Sequence, residues 1–232
     1  MYISCIHTLH IHTGSDISDA KVFMQGLSFL FEILPAFPNV KVLDLGGGFK
    51  VPYHPSEKET DLKSLSLALE NAIHEHPATK DRHLQLWFEP GKYIVSEAGK
   101  LLVQVNVVKQ TTSTVFIGVN SGQNHLIRPM FYDAYHHIEN VSNPEGMPRL
   151  YSVVGYICET DTLGYDRKIA EVREGDVLAI KNAGAYGFTM SNNYNARFRP
   201  AEVLVYKGKA VLIRKAETLD DLVRNEIEAV LD

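Results

Sequence analysis

Up to about residue 89, short apolar runs alternate with amphipathic stretches. Apolar runs at 3–11, 40–45 and 84–88 predict β-strands. Between them, apolar residues recur at helical spacing over 18–34 and 61–75, which predicts two helices. The order strand, helix, strand, helix, strand implies parallel strands that are joined by helical crossovers.

After about residue 96 the apolar positions recur with a period of two. This pattern, bounded by Gly, Asn and Pro turns, predicts an antiparallel barrel or sandwich. A last stretch, 218–231, predicts a closing helix that Thr218 caps, with an apolar face that includes Leu219 and Leu222. The predicted strands of this second half are 101–108, 114–119, 150–158, 176–181, 201–206 and 209–214.

The change of period predicts two domains, 1–95 and 96–232. Three parallel strands are too few for a closed barrel of β/α units, which needs eight. We therefore expect the fold class α/β plus all-β. In this class, the C-terminal part of a (β/α)8 barrel carries the cofactor motifs and is followed by an antiparallel β-barrel or sandwich domain.

Composition and charge exclude several function classes. The chain has 232 residues, 45% of them hydrophobic, and a net charge of −5 without a basic block, so we expect no nucleic-acid partner. Two cysteines, Cys5 and Cys158, do not suggest a disulfide framework, which fits a reducing cytoplasm. Because no apolar run reaches membrane-spanning length and no secretory signal opens the chain, we expect no membrane association and a cytoplasmic location.

The segment LDLGGGF, residues 43–49, ends an apolar run in Gly46, Gly47 and Gly48. Residues without side chains let backbone N–H groups converge on one anion, and a strand end that leads into such a turn is where phosphates bind. The alternative is a tight turn without a ligand. The segment is a first indication of a phosphorylated cofactor.

Two histidines, His10 and His12, end the first predicted strand. Their spacing places them on one side of a strand, which also suits a metal site of the amidohydrolase kind or a hydrogen-bonded histidine in the core. No further pair of ligand residues follows at the next strand end, where the glycines lie instead. We therefore predict no metal, and an imidazole that stacks on a planar cofactor ring.

The segment FEPGK closes the third predicted strand and carries Glu89. Pro90 ends the strand and Gly91 permits a sharp turn, so the carboxylate is expected at the C-terminal end of the strand, the catalytic face of barrels. A carboxylate there can pair with a protonated pyridine nitrogen and keep the ring electron-withdrawing. The alternative is an ordinary turn.

The order of these motifs resembles one family. HIHTGS, LDLGGGF and FEPGK are followed by NHLIRPMFYDAYH, ICETDTLGYD and NAGAYGFTMSNNYNARFRPAEVLV. The series is similar to that of the fold-type III pyridoxal-phosphate amino-acid decarboxylases, and most closely to those that act on diaminopimelate. The resemblance covers residues 10–214.

The resemblance implies a role for each cofactor motif. His12 would stack on the cofactor ring and Glu89 would pair with its nitrogen. The phosphate would be held by Ser15, by the amides of Gly46, Gly47 and Gly48, and by Tyr186, beside which Gly184 gives the backbone room.

The resemblance also implies the substrate contacts. Arg128 and Tyr132 would bind a distal carboxylate, and they share a face if residues 126–132 include a helical turn, in which Pro129 suits the start rather than the middle. Cys158 and Glu159 would reach the site from a second subunit, the thiol to manage a proton transfer and the carboxylate to bind a distal ammonium. Alternatively, Cys158 is a buried residue at a strand end.

The sequence departs from the family pattern in three places. The cofactor-bearing lysine, expected on an earlier strand, has no counterpart here, so we expect the chain alone not to decarboxylate. Lys92 replaces the usual arginine as a substrate contact, which loses bidentate recognition of a carboxylate. Thr160 and Asp161 replace the commoner Ser-Gly after Cys-Glu and alter only the support of the reactive pair.

The resemblance implies decarboxylation of meso-diaminopimelate to L-lysine with pyridoxal 5'-phosphate. The expected partners are a small amino-acid substrate and either a second copy, in a homodimer with shared sites, or an N-terminal fragment. Two alternatives stay open. In the first alternative, the chain is a non-catalytic partner or regulator of a full-length homologue. In the second, it is a related arginine, ornithine or carboxynorspermidine decarboxylase. Glu159 together with Arg128 favours a substrate with both a distal ammonium and a distal carboxylate.

Overall fold

The computed structural model describes residues 5–229. The chain divides into two compact units, of which the first ends at Ser96 and the second begins at Glu97. Each unit has its own cluster of buried apolar side chains.

The first unit is a three-stranded parallel sheet with helices, as predicted. Its strands are β1 (Thr8–His10), β2 (Val42–Asp44) and β3 (Gln85–Trp87), which pair in the order β1-β2-β3. The crossovers carry helices α1 (Ala20–Ile33) and α2 (Leu62–Glu75). All three strands therefore end at the same edge of the sheet.

The helices of the first unit begin where their capping residues stand. The side chain of Asp19 accepts a hydrogen bond from the amide of Lys21 at the start of α1, and Asp61 accepts one from Ser64 at the start of α2. A 3-10 turn, Leu34–Ala36, extends α1. The short helix α3 (Lys92–Val95) follows the EPG turn. Residues 3 and 4 of the first predicted strand lie outside the described residues.

The second unit is built on a six-stranded sheet in the order β6-β9-β4-β5-β7-β8. Neighbouring strands are antiparallel except β5 and β7, which are parallel. The edge strands β6 and β8 also contact each other, so the sheet curls toward a barrel, as the sequence predicted. The strands are β4 (Leu101–Gln110), β5 (Val115–Val119), β6 (Ile138–Asn140), β7 (Pro148–Val154), β8 (Thr162–Ala170) and β9 (Val177–Ile180).

One predicted strand, 150–158, is wrong at its C-terminal end. β7 stops at Val154, and residues 155–161 form a loop in which the amide of Gly155 donates to the carbonyl oxygen of Asp161 at 2.7 Å. Cys158 lies in this loop and is exposed, so its interpretation as a buried residue at a strand end is also wrong. Strands β6 and β8 were not predicted.

The chain continues into a separate hairpin of β10 (Glu202–Tyr206) and β11 (Lys209–Arg214), turned at Gly208 with a φ of +73°. Helix α5 (Leu219–Val223) begins at Thr218, whose capping box with Asp221 confirms the predicted cap. The helix is shorter than predicted, and residues 230 and 231 of the prediction lie outside the described residues.

No helix within residues 5–229 has the length and apolar character that a membrane crossing requires.

Candidate functional site

The C-terminal edge of the first unit's sheet brings together His12, the three glycines and Glu89. The amide of Gly47 donates to Nδ1 of His12 at 3.3 Å. The amide of Glu89 donates to the carbonyl oxygen of Gly46 at 2.9 Å. Three motifs that are far apart in sequence therefore meet, as expected for residues that follow the ends of parallel strands.

The glycines allow an approach that no side chain would permit. A Cβ on Gly46 would lie 2.7 Å from Nδ1 of His12, and a Cβ on Gly47 would overlap the carbonyl oxygen of Glu89. Gly46 and Gly48 also adopt left-handed φ values of +69° and +91°. The glycine turn therefore lies between the His12 loop and the Glu89 turn, in close contact with both.

Two of the three glycine amides already have protein partners. The Gly46 amide donates to Oδ1 of Asp44 at 2.9 Å, and the Gly47 amide donates to His12. Both amides are therefore engaged within the protein in this structure, and the expectation that they hold a phosphate stays a prediction.

A lysine supplies positive charge beside this turn. Nζ of Lys92 lies 2.5 Å from Oδ1 of Asp16 and 3.4 Å from Oγ of Ser15. Lys50 lies 3.8 Å from the same Asp16 oxygen and 2.7 Å from Glu57. Lys92 is buried although it carries a charge, and it is paired with Asp16. Its predicted role as a substrate contact stays a prediction, and its neighbour is the predicted phosphate ligand Ser15.

His10 lies beside the predicted pyridine partner. Its Nε2 is 3.1 Å from Oε2 of Glu89. Ligand-type atoms of His10, Asp44 and Glu89 all lie within 4.8 Å of one another. The prediction of no metal considered only pairs of ligand residues at the next strand end. It did not include Asp44, which comes just before the glycines. The arrangement also explains how Glu89 is oriented, since a histidine can donate to a carboxylate.

The second unit holds the predicted substrate residues other than Lys92. Helix α4 (Arg128–Tyr132) begins at Arg128 with Pro129 in its first turn, which confirms the predicted helical turn. The Arg128 guanidinium lies 5.8 Å from the centre of the Tyr132 ring and 5.9 Å from that of Tyr186. Arg128 is buried, and both tyrosine rings are exposed. The Arg128 guanidinium therefore lies near both Tyr132, its predicted partner in carboxylate binding, and Tyr186.

The NAGAY turn has a strained backbone. Tyr186 has a φ of +57°, a left-handed value that is uncommon for an aromatic residue. A Cβ on Gly99 would overlap Cα of Gly184, so these two backbones are in close contact. Such strain persists only where the surroundings fix the conformation, and it clusters at functional sites.

Cys158 and Glu159 lie exposed in the loop that joins β7 to β8. Sγ of Cys158 donates to Oε2 of Glu159 at 3.4 Å. Asp161 supports the loop, because its carboxylate accepts from the amides of Gln123 at 2.6 Å and of Ile157 at 2.8 Å. Burial raises the pKa of Asp161 above its ordinary value. Asp161 therefore supports the loop that carries the pair, and the effect of Thr160 and Asp161 relative to the commoner Ser-Gly stays a prediction.

Asp16, Asp44 and the contact of His10 with Glu89 were not predicted from the sequence. Asp44 could have been noticed as a polar residue at the end of a buried strand, since an acid there needs a partner. The Asp16 pairing carries no comparable sequence signal, because Lys92 is distant in sequence.

Two family models match the chain. The model of the pyridoxal binding domain of pyridoxal-dependent decarboxylases matches residues 5–96. The model of the C-terminal sheet domain of pyridoxal-dependent decarboxylases matches residues 92–184.

Curated relatives match over nearly the whole chain. The diaminopimelate decarboxylase of Methanothermobacter thermautotrophicus is 38% identical over an alignment of 229 residues, and the match covers 94% of this chain and 53% of the relative. That of Aquifex aeolicus is 39% identical over an alignment of 225 residues, and the match covers 95% of this chain and 52% of the relative. The chain spans about half the length of the curated relatives it matches.

Solved structures of related enzymes also match most of the chain. Diaminopimelate decarboxylase from M. jannaschii in complex with L-lysine matches with a TM-score of 0.87 and 36% identity, covering 95% of this chain and 51% of that chain. A lysine/ornithine decarboxylase from Vibrio vulnificus matches at 19% identity with a TM-score of 0.70, over 82% of this chain and 51% of that one, which shows the fold alone. With both of its units matched, the chain belongs to the pyridoxal-dependent decarboxylase family.

Proposed function

We propose that the chain forms part of a pyridoxal 5'-phosphate-dependent decarboxylase that converts meso-diaminopimelate to L-lysine and CO2. The curated relatives, which are 36–41% identical to the chain, are named diaminopimelate decarboxylase. The meeting of His12, Gly46–Gly48 and Glu89 at one sheet edge supports a cofactor site. This convergence is the observation that carries the proposal.

The residues at this edge fit the cofactor. The glycine turn lies directly against the His12 ring and the Glu89 turn, because a Cβ on Gly46 or Gly47 would meet His12 or the backbone of Glu89. Nζ of Lys92, which also pairs with Asp16, and Oγ of Ser15 lie 3.4 Å apart and supply a cation and a hydroxyl that suit a phosphate. The acid for the ring nitrogen, Glu89, lies on the neighbouring turn.

In the proposed site His12 would lie against the cofactor ring, and Ser15 and Lys92 would hold the phosphate. Pyridoxal phosphate, when bound, supplies an electron-withdrawing ring that accepts the electron pair left by departing CO2. Glu89 would keep a proton on the ring nitrogen, since a carboxylate favours the charged form of a neighbouring base. His10 would keep the Glu89 carboxylate in place.

The residues of the second unit would select the substrate. Arg128 and Tyr132, with Tyr186 beside the same guanidinium, suit a distal carboxylate. Glu159 suits a distal ammonium, and Cys158 next to it would move a proton. A substrate with both end groups needs both counter-charges, whereas ornithine or arginine has no distal carboxylate. Arg128 therefore favours diaminopimelate over these related substrates.

We further propose a homodimer that shares its sites, in the cytoplasm. The basis is the resemblance, which implies that Cys158 and Glu159 act from a second subunit.

The test is decarboxylation of meso-diaminopimelate by the purified chain with pyridoxal phosphate. The chain is assayed alone and mixed with the half of the Aquifex aeolicus relative that it does not match. We expect lysine and CO2 from the mixture, with meso-diaminopimelate preferred over ornithine and arginine. A mixture that binds pyridoxal phosphate but prefers ornithine would contradict the substrate assignment.

A regulatory role predicts a different outcome. In that case the chain would change the rate of an intact homologue and would produce no lysine in any mixture. The two roles are separated by assaying the chain with the intact relative and with its unmatched half.

A further inference from the structure

The segment Ser191–Arg197 meets the loop that carries Cys158 and Glu159. The hydroxyl of Tyr194 donates to Oε1 of Glu159 at 2.6 Å. Nδ2 of Asn195 lies 3.9 Å from Sγ of Cys158. Because Cys158 itself donates to Oε2, each oxygen of the Glu159 carboxylate has a donor. The carboxylate is therefore held in one orientation although it lies at the surface.

The backbone around Tyr194 is fixed by local hydrogen bonds. The amide of Tyr194 donates to Oδ1 of Asn192 at 3.0 Å, and the amide of Asn192 donates to the carbonyl oxygen of Asn124 at 2.9 Å. Asn195 and Ala196 follow in the left-handed region, with φ values of +54° and +53°. A non-glycine pair in this region costs free energy and persists only where the surroundings determine it.

Glu217, in the connection between β11 and α5, anchors the same segment. Its carboxylate accepts from Nδ2 of Asn193 at 2.5 Å and from the amide and Nε of Arg199 at 2.8 Å and 2.6 Å. Mainly through its hydrogen bond from Arg199, the pKa of Glu217 is lowered to about 2. Glu217 is thus ionised at neutral pH and ties Asn193, the neighbour of Tyr194, in place.

The charge at Glu159 is consistent with this geometry. The hydrogen bond from Tyr194 is the largest of the influences that lower the pKa of Glu159, followed by its own backbone amide and by Cys158. The same bond raises the pKa of Tyr194. The acidic group nearby is Asp161, whose pKa is raised in part by the charge of Glu159. The phenol therefore favours the ionised form of Glu159, the form that pairs with an ammonium.

We propose that Tyr194 is a positioning residue that holds the Glu159 carboxylate for the distal ammonium of the amino-acid substrate. The inference rests on the proposed function for the identity of the ligand. The contact between Tyr194 and Glu159 stands apart from that function. A phenylalanine at this position would keep the ring but leave one carboxylate oxygen without its donor.

The first test measures Glu159 directly in the purified chain. Glutamate is labelled with ¹³C in the side-chain carboxyl, and Glu159→Gln assigns the resonance. We expect the titration midpoint of Glu159 to rise in Tyr194→Phe, because the donor that favours the carboxylate is removed. Tyr165→Phe, at an exposed tyrosine on β8, is the matched control and should leave the midpoint unchanged. An unchanged midpoint in a folded Tyr194→Phe chain overturns the proposal.

The second test measures the substrate contact in the lysine-producing mixture. We expect Tyr194→Phe to raise KM for meso-diaminopimelate about threefold to tenfold, the range for one ordinary hydrogen bond, because the Glu159 carboxylate lies at the surface, with kcat within about twofold. If kcat and thermal stability both fall while KM is unchanged, Tyr194 has a structural role and the proposal is overturned. If no mixture produces lysine, the proposed function fails, and the titration still decides whether Tyr194 controls Glu159.

Discussion

The guanidinium of Arg128 lies 5.9 Å from the centre of the Tyr186 ring. Arg128 begins helix α4, and Tyr186 lies in the left-handed NAGAY turn, so residues 58 positions apart lie close together within the second unit. Arg128 was predicted to bind substrate and Tyr186 to contact the cofactor phosphate. Their contact means that a change at one is expected to be felt at the other.

Arg128→Lys tests the substrate role of this guanidinium. Lysine keeps the charge but loses the planar group that binds a carboxylate through two hydrogen bonds and lies against aromatic rings. We expect KM for meso-diaminopimelate to rise about tenfold in the lysine-producing mixture, which corresponds to about 1.4 kcal/mol. Arg149→Lys, an exposed arginine 5.8 Å from the Tyr151 ring, is the control and should leave KM unchanged. A selective loss of kcat would argue against carboxylate binding.

Glu89→Gln tests the predicted partner of the pyridine nitrogen. The amide keeps the shape of the side chain but cannot stabilise a protonated ring nitrogen. Loss of such a charge partner costs about 3 kcal/mol, so we expect kcat to fall at least about a hundredfold. Bound cofactor, followed by its absorbance, should be retained. Glu32→Gln, an exposed glutamate on α1, is the control. Unchanged kcat in the Glu89 variant would exclude this role.

Gly47→Ala tests the close approach that shapes the cofactor edge. The φ of Gly47 is not left-handed, so the expected effect comes from the new methyl group, which would overlap the carbonyl oxygen of Glu89. Overpacking of this kind costs about 1–3 kcal/mol. We expect a lower unfolding midpoint of the first unit, followed by the fluorescence of Trp87, and weaker binding of pyridoxal phosphate. Gly208→Ala, which strains a left-handed turn but lies outside the first unit, should change neither.

The first unit was predicted closely because its signals are local. Asp19 and Asp61 cap their helices from positions next to the apolar periodicity, and three short apolar runs gave the parallel strands. Their order also placed His12 and Glu89 at one edge, since parallel strands end on the same side.

The second unit was predicted less well because its strands are shaped by distant partners. β6 (Ile138–Asn140) has three residues and is a strand only because it pairs with β9. In β8, Asp166, Arg167 and Lys168 follow one another and interrupt the apolar alternation. The contact of Tyr194 with Glu159 joins residues 35 positions apart, and no periodicity carries it.

A last prediction concerns pH and His136, which is buried in the second unit. Its Nδ1 donates to the carbonyl oxygen of Lys181 at 2.8 Å. Burial is the main cause that lowers the pKa of His136 from 6.5 to about 4, and the charges of Arg128 and Arg167 act in the same direction. The unfolded chain therefore binds more protons between these values. Stability is fully present above pH 6.5 and is lost as the pH falls toward 4.

The loss from His136 over this window is expected to be about 3 kcal/mol, at 1.4 kcal/mol per pH unit. Hydrogen exchange of the β9 amides at pH 7 and pH 5 measures the part of this loss that falls above pH 5, about 2 kcal/mol, with the data corrected for the intrinsic exchange rate. His136→Asn, which keeps a donor for Lys181, should flatten the pH dependence, whereas His83→Asn, at an exposed histidine of the first unit, should not. Trp87, the single tryptophan, lies in the first unit and reports any general acid effect. An equally steep loss of protection in His136→Asn would assign the acid sensitivity to other groups, of which His125 is the first candidate because burial lowers its pKa as well.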